Sequence, residues 1–124
     1  MNLLLDSNVL LWWLMDNPRL GADLVGRLQR ETSLFISLVT PWELWIKAES
    51  GRLRLPADFD DRLEGNRLSI LSPTLADTRL ASRLPPIHRD PFDRMIIAQA
   101  LNNRAQIVTG DRQFAAYGVD VILV

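Results

Sequence analysis

Residues 2–14 constrain the fold more than any other part of the sequence. Three consecutive leucines, Leu3 to Leu5, form an apolar run without alternation, which is typical of a strand buried on both faces. Asp6 and Ser7 follow at once, and either can cap a helix that continues to Leu14. Ligands of open α/β sheets bind outside the carboxyl ends of the strands. Asp6 therefore lies where a functional site is expected.

The rest of the chain continues this alternation of short apolar strands with helices. We predict further strands at about residues 34–39, 68–71, 106–109 and 119–124, and helices at about 19–30, 41–50, 58–65, 72–84, 91–103 and just after 111. Such alternation predicts a three-layer α/β/α sandwich with a central, mainly parallel sheet. No repeat or linker divides the chain, so we expect one domain over residues 1–124.

Composition excludes several classes of protein. The chain has no cysteine, which excludes a disulfide framework and thiolate catalysis and suits a reducing compartment. No apolar run reaches about 18 residues, so a membrane span is not expected. The N-terminus lacks a basic segment, so a signal peptide is not expected either. We therefore expect a cytoplasmic protein without membrane contacts.

Four acids fall at predicted strand-to-helix junctions: Asp6, Glu43, Asp93 and Asp111. Parallel strands end at one edge of a sheet, where these carboxylates would repel one another unless a cation neutralises them, since no Lys or Arg adjoins Asp6 or Glu43. Oxygen-only ligands favour Mg²⁺ or Mn²⁺, and such ions support attack of water on a phosphodiester. With these acids neutralised, the 14 basic residues outnumber the remaining acids, which is compatible with a phosphate-bearing partner.

Each acid also has a simpler explanation, because helix N-termini favour acids. Thr40, Pro41 and Glu43 have the spacing of a capping box with proline at the first helical position. Asp90 has the same relation to a following proline and is interpreted as an N-cap. Asp93 fits the simple explanation least, because it heads the apolar stripe of its helix and a carboxylate facing the core is costly unless satisfied.

Other candidate residues carry weaker signals. His88, the single histidine, is interpreted as a surface or loop-packing residue rather than a catalytic base. Lys47, the single lysine, has the spacing of an ion pair with Glu43 one helical turn earlier. The four tryptophans, at 12, 13, 42 and 45, are interpreted as core or interface residues. A groove for a phosphate backbone could be lined by Arg52, Arg54, Arg89, Arg94 and Arg112, although scattered arginines are usually solvated.

Four segments together resemble PIN-domain proteins and, more narrowly, the VapC-type toxins of bacterial toxin–antitoxin pairs. They are Leu-Leu-Leu-Asp-Ser-Asn at 3–8, Trp-Glu-Leu at 42–44, His-Arg-Asp-Pro-Phe-Asp-Arg-Met-Ile-Ile-Ala-Gln-Ala at 88–100 and Thr-Gly-Asp at 109–111. The resemblance spans nearly the whole chain, in order. It implies a Mg²⁺- or Mn²⁺-dependent endoribonuclease that is inhibited by a cognate antitoxin and is often a homodimer.

The resemblance also implies which residues form the site. The catalytic and metal-binding set would be Asp6, Glu43, Asp93 and Asp111, with Asp6 and Asp93 as direct ligands. The supporting set beside these acids would be Ser7, Asn8, Asp90 and Thr109. One departure is Asp-Ser-Asn at 6–8, where close relatives often have Asp-Thr-His; Ser7 keeps a hydroxyl, so we expect the change to be tolerated.

Three other functions fit parts of the pattern. A phospho-receiver signalling domain also clusters acids around Mg²⁺, but it would need a lysine at the end of a late strand. A sugar-phosphate-type phosphatase would need an acid at the position of Asn8. A catalytically silent PIN-fold binding protein would retain the fold for its antitoxin contacts, and four intact acids argue against that.

Overall fold

The computed structural model describes residues 2–31 and 33–124. Within these residues the strands are β1 (Leu3–Leu5), β2 (Leu34–Ser37), β3 (Ser69–Leu71), β4 (Gln106–Thr109) and β5 (Val121–Leu123). The α-helices are α1 (Ser7–Leu14), α2 (Ala22–Arg30), α3 (Val39–Glu49), α4 (Phe59–Gly65), α5 (Leu75–Arg83) and α6 (Pro91–Asn103). Short 3-10 helices occupy Pro18–Leu20 and Arg112–Tyr117.

The five strands form one sheet in the order β3-β2-β1-β4-β5, and all neighbouring strands are parallel. Leu4 at the centre of β1 is level with Phe35 of β2 and Ile107 of β4. The chain adds β2 and β3 on one side of β1 and then returns to add β4 and β5 on the other. The strand order therefore reverses between β1 and β4, which is where open α/β sheets bind ligands.

The two faces of the sheet are covered by different helices, which confirms the predicted three-layer sandwich. Leu3 and Leu5 pack on one face in a core that includes residues of α1 to α4. Leu4 points to the other face and packs with residues of α5 and α6. This division follows from the strand period of two, and it explains why β1 is apolar at every position.

None of the helices in the described part of the chain has the length and apolar character that a membrane crossing requires.

Several predicted boundaries were wrong by two or three residues, and each has a local cause. The second helix begins at Ala22, because the Pro18–Leu20 turn and Gly21, with a φ of +78°, precede it. The fifth helix begins at Leu75 rather than at Ser72. Its start is set by a capping box in which the Thr74 hydroxyl accepts from the Asp77 amide and the Asp77 carboxylate accepts from the Thr74 amide.

The capping box predicted at Thr40 was also wrong. Strand β2 ends at Ser37, two residues earlier than predicted, and α3 begins at Val39. The hydroxyl of Ser37 accepts the Val39 amide at 3.2 Å, so a residue that precedes the helix satisfies its first amide. Thr40 lies inside the first turn, where its hydroxyl is buried without a hydrogen-bond partner among the described residues. Glu43 is therefore released from capping.

Candidate active site at the carboxyl edge of the sheet

The structure brings the four predicted acids to the same edge of the sheet, called here the acidic edge. Asp6 ends β1, Glu43 lies one turn into α3, Asp93 lies in the first turn of α6, and Asp111 follows β4. The charges of Asp111 and Glu43 act on Asp6, and those of Glu43 and Asp6 act on Asp93. The four side chains are thus one electrostatic group rather than four separate helix caps.

Asp6 is held by hydrogen bonds from two elements and is only 6% exposed. One carboxylate oxygen, Oδ1, accepts from the Val9 amide at 2.8 Å, which caps α1. The other, Oδ2, accepts from the hydroxyl of Thr109 at the end of β4. Burial raises the pKa of Asp6 further than these two bonds lower it. Helix capping therefore explains the contact of Oδ1, but it does not explain the bond of Oδ2 to Thr109.

Among the described residues, one of the two carboxylate oxygens of Glu43 has a partner and the other has none. Its Oε2 lies 2.6 Å from the ammonium Nζ of Lys47, which confirms the ion pair expected from their spacing. Its Oε1 is buried without a hydrogen-bond partner among the described residues. The expectation that no basic residue adjoins Glu43 is corrected by this pair, because Lys47 approaches from the next helical turn.

Asp93 is the least compensated acid at the acidic edge. Its pKa is raised to about 7, first by burial and then by the negative charges of Asp90 and Glu43. Asp90 caps α6 by accepting from the amides of Phe92 and Asp93, as predicted, so its carboxylate stays close to Asp93. A carboxyl with this pKa exchanges its proton near neutral pH, which is typical of functional sites.

His88 is the site residue that sequence reasoning missed. Its ring is not on the surface: it is 8% exposed, packs edge-on against Phe114 and places Nε2 at 2.8 Å from Oδ2 of Asp111. Burial raises the pKa of Asp111, but the bonds from His88 and the Gln113 amide outweigh it and lower the pKa. The signals in the sequence were that His88 precedes the Asp90 helix start and opens the PIN-like segment at 88–100; the pairing itself joins residues 23 positions apart.

The supporting residues have different environments. Ser7 is buried at the start of α1, and Asn8 is exposed. Thr109 bridges two acids, because its hydroxyl donates to Asp6 and accepts the Asp111 amide at 3.0 Å. Arg94 was wrongly included among the groove arginines. Its guanidinium donates to the backbone carbonyls of Ala81, Leu84, Pro85 and His88.

The tryptophans divide between the core and the surface. Trp12 and Trp13 pack against the core that contains α1, whereas Trp42 and Trp45 on α3 are 56% and 41% exposed. Trp42 contacts Phe92 of α6 edge-on, with ring centroids 5.4 Å apart. The exposed pair therefore lies on the outer side of the helix that carries Glu43.

The donor chemistry of the acidic edge fits a hard divalent cation. The ligands offered are carboxylate oxygens, one of them the Oε1 of Glu43 that has no partner among the described residues. A cation would offset the repulsion that, after burial, raises the pKa of Asp93. Within the described residues, no group of three or more His, Cys, Asp or Glu side chains is arranged closely enough to hold one ion. The metal ligands therefore stay a prediction.

Comparison with known proteins places the chain in a family. The chain matches the PIN domain family over residues 3–120, and it belongs to that family. It is also similar to Ribonuclease VapC22 of Mycobacterium tuberculosis, with 29% identity over 92% of this chain and 90% of that protein.

Solved structures agree on the fold. VapBC2 from Rickettsia felis, bound to a DNA fragment from its promoter, matches with a TM-score of 0.78 and 17% identity over 99% of this chain and 98% of the other. DNA-bound VapBC from Salmonella typhimurium matches with a TM-score of 0.72 and 22% identity over 98% and 97% of the two chains. At these identities the likeness establishes the fold of the chain.

We predict that Asp93→Asn stabilises the metal-free protein at pH 8. The protonated Asp93 carboxyl contributes stability that is fully present below its unfolded pKa of 3.8 and is lost as the pH rises through about 7. Asparagine does not titrate, so the Asp93→Asn variant does not lose this stability as the pH rises. The gain at pH 8 should be about 2–4 kcal/mol, measured by denaturant unfolding in EDTA, and should vanish near pH 4.

The matched control is Asp23→Asn, which changes an exposed first-turn acid of α2. It should destabilise the protein by about 0.3–1 kcal/mol, the ordinary helix-dipole effect. If Asp93→Asn behaves like this control, Asp93 is a simple helix-start acid.

We predict that Lys47→Met destabilises the metal-free protein and increases its stabilisation by Mg²⁺. The loss should be about 1–3 kcal/mol, because the Glu43 carboxylate remains buried without its partner. A divalent ion that binds only the folded protein would replace the missing charge. The measurement is a set of melts in EDTA and in Mg²⁺, with Lys47→Arg as the charge-preserving control. An equal response to Mg²⁺ in Lys47→Met and wild type would contradict the role given to Lys47.

Proposed function

We propose that this protein is a metal-dependent endoribonuclease that acts as the toxin of a toxin–antitoxin pair. The observation that carries the proposal is the acidic edge, where three partly or fully buried carboxylates, Asp6, Glu43 and Asp93, act on one another at the switch point of the sheet. Membership of the PIN family and the similarity to Ribonuclease VapC22 support it. We also propose a cytoplasmic location, where such a toxin would meet its RNA substrate.

The residues that would hold Mg²⁺ or Mn²⁺ are Asp6, Glu43, Asp93 and Asp111, with Asp6 and Asp93 as direct ligands. When bound, the ion lowers the pKa of a water molecule and neutralises charge on the phosphate. Asp6 keeps its orientation through the Val9 amide, and Asp93 releases its proton near neutral pH. Glu43 or Asp111 would orient the attacking water or accept its proton.

The RNA backbone would be positioned by arginines beside the acids. Arg89 and Arg112 adjoin Asp90 and Asp111 in the sequence, and both side chains are exposed. Arginine contacts with phosphates set the register of a nucleic acid without reading its sequence. With the Arg94 guanidinium bound to backbone carbonyls, these two of the five predicted groove arginines are the ones expected to act at this edge.

We also propose that the protein forms a homodimer and binds a cognate antitoxin protein. Solved relatives described as VapBC complexes support the second partner. An exposed apolar stripe on and just before α3, formed by Leu38, Trp42 and Trp45, supports a contact with a second copy.

We predict that the protein, freed of any antitoxin, cleaves RNA at discrete positions in Mg²⁺ or Mn²⁺ and that EDTA abolishes cleavage. Asp6→Asn and Asp93→Asn should each reduce the rate by about a hundredfold or more, beyond the effect typical of residues that only support ligands. The control Asp23→Asn should cleave like wild type. Undiminished cleavage in EDTA would exclude the metal mechanism, and a folded wild type without cleavage would favour a silent binding protein.

We predict that the antitoxin inhibits by covering the acidic edge with a basic side chain, because uncompensated carboxylates attract any cation. Hydrogen exchange of the complex should show protection at the N-terminal turns of α3 and α6. Protection restricted to the opposite edge of the sheet would contradict this mode of inhibition.

A further inference from the structure

We propose that His88 is a positioning residue whose imidazole Nε2–H holds the Asp111 carboxylate in a fixed orientation at the acidic edge. The inference rests on the proposed nuclease function, and it gives a role in the site to a residue of the 88–100 segment that was interpreted from the sequence as a surface or loop-packing residue. The observation behind it is a buried ring held at both of its nitrogens.

The hydrogen bonds of the ring determine which nitrogen carries the proton. Nε2 lies 2.8 Å from Oδ2 of Asp111, and an ionised carboxylate only accepts, so Nε2 must donate. The Tyr117 hydroxyl accepts the His88 backbone amide at 2.6 Å and lies 3.2 Å from Nδ1. A hydroxyl both donates and accepts, so this contact is satisfied with or without a proton on Nδ1. The bond to Asp111 alone therefore fixes a proton on Nε2.

The environment of the ring allows little movement. His88 packs edge-on against Phe114, with ring centroids 4.8 Å apart, and Phe114 is fully buried. The backbone of His88 is fixed independently, because its amide donates to Tyr117 and its carbonyl accepts from Arg94 at 3.0 Å. These backbone bonds hold the loop whatever the side chain. The imidazole adds the bond to Asp111 and packs against the rings of Phe114 and Tyr117.

Asp111 has a clear need for such a partner. Its side chain is 42% exposed, so without a second contact it could rotate in solvent. The Gln113 amide holds Oδ1 at 2.9 Å, and His88 holds Oδ2. The Asp111 backbone amide donates to Thr109, whose hydroxyl donates to Asp6. The contacts therefore run from His88 to Asp111, then to Thr109 and then to Asp6. The place of His88 at the end of this series is comparable to that of partners that orient metal ligands.

The first test uses the fact that His88 is the only histidine in the chain. Its two ring nitrogens give one pair of signals in long-range ¹H–¹⁵N spectra, which report the tautomer. We expect the Nε2–H form, a change in the Nε2 signal on Asp111→Asn, and a response to Mg²⁺ in wild type that this variant lacks. The opposite tautomer, or a signal indifferent to Asp111→Asn, would overturn the proposal. This measurement needs no RNA cleavage.

The second test separates positioning from folding. His88→Ala should lower kcat for RNA cleavage by about ten- to hundredfold with KM little changed, the range typical of partners that orient ligands. His88→Gln keeps an N–H donor and should recover most of the rate. Ile87→Ala, an exposed neighbour in the same loop, should cleave like wild type. Equal losses in the alanine and glutamine variants, both folded, would contradict positioning.

A double mutant completes the design. In an Asp111→Asn background, His88→Ala should cost little further activity, because the carboxylate it orients is already gone. Full additivity of the two losses would mean that His88 acts elsewhere. If the wild type cleaves no RNA, the proposed function fails, and the spectra alone still decide whether the ring orients Asp111.

Discussion

The gathering of carboxylates at one edge of a buried sheet is the constraint on which the rest of this structure depends. Strands β2 and β3 lie on one side of β1, and β4 and β5 lie on the other. The carboxyl ends of β1 and β4 are therefore side by side, and Asp6 and Asp111 become neighbours. Helices α3 and α6 then add Glu43 and Asp93. Burial and mutual repulsion both disfavour ionised carboxylates, so each acid needs its own compensation.

The groups that stabilise the ionised carboxylate differ from acid to acid. Asp6 has two hydrogen-bond donors, Glu43 has the Lys47 ammonium, and Asp111 has His88. Asp93 has the least support, and its pKa of about 7 reflects that. Keeping a carboxyl in this environment costs the folded protein stability, because burial and neighbouring negative charges disfavour its ionised form.

Local signals in the sequence predicted most of the fold. The apolar run that ends at Asp6 and the Asp90 helix start were both confirmed, because each depends on contacts within a few residues. The capping box at Thr40 had equally good spacing and was wrong. There the strand ended earlier than expected and the helix began at Val39, so Thr40 lay inside the first turn, past the N-cap position. Spacing identifies possible caps, and the neighbouring strand determines which one forms.

The sequence alone determined the alternation of strands and helices, the positions of the four acids along the chain and the resemblance to the PIN family. Only the tertiary structure decided that β4 lies beside β1, that Oε1 of Glu43 is buried without a partner among the described residues, and that His88 belongs with Asp111. The reason is physical: periodicity and capping act over one helical turn or one strand. Hydrogen bonds between distant segments and the pKa of a carboxyl depend on which groups burial brings together and how much water it removes.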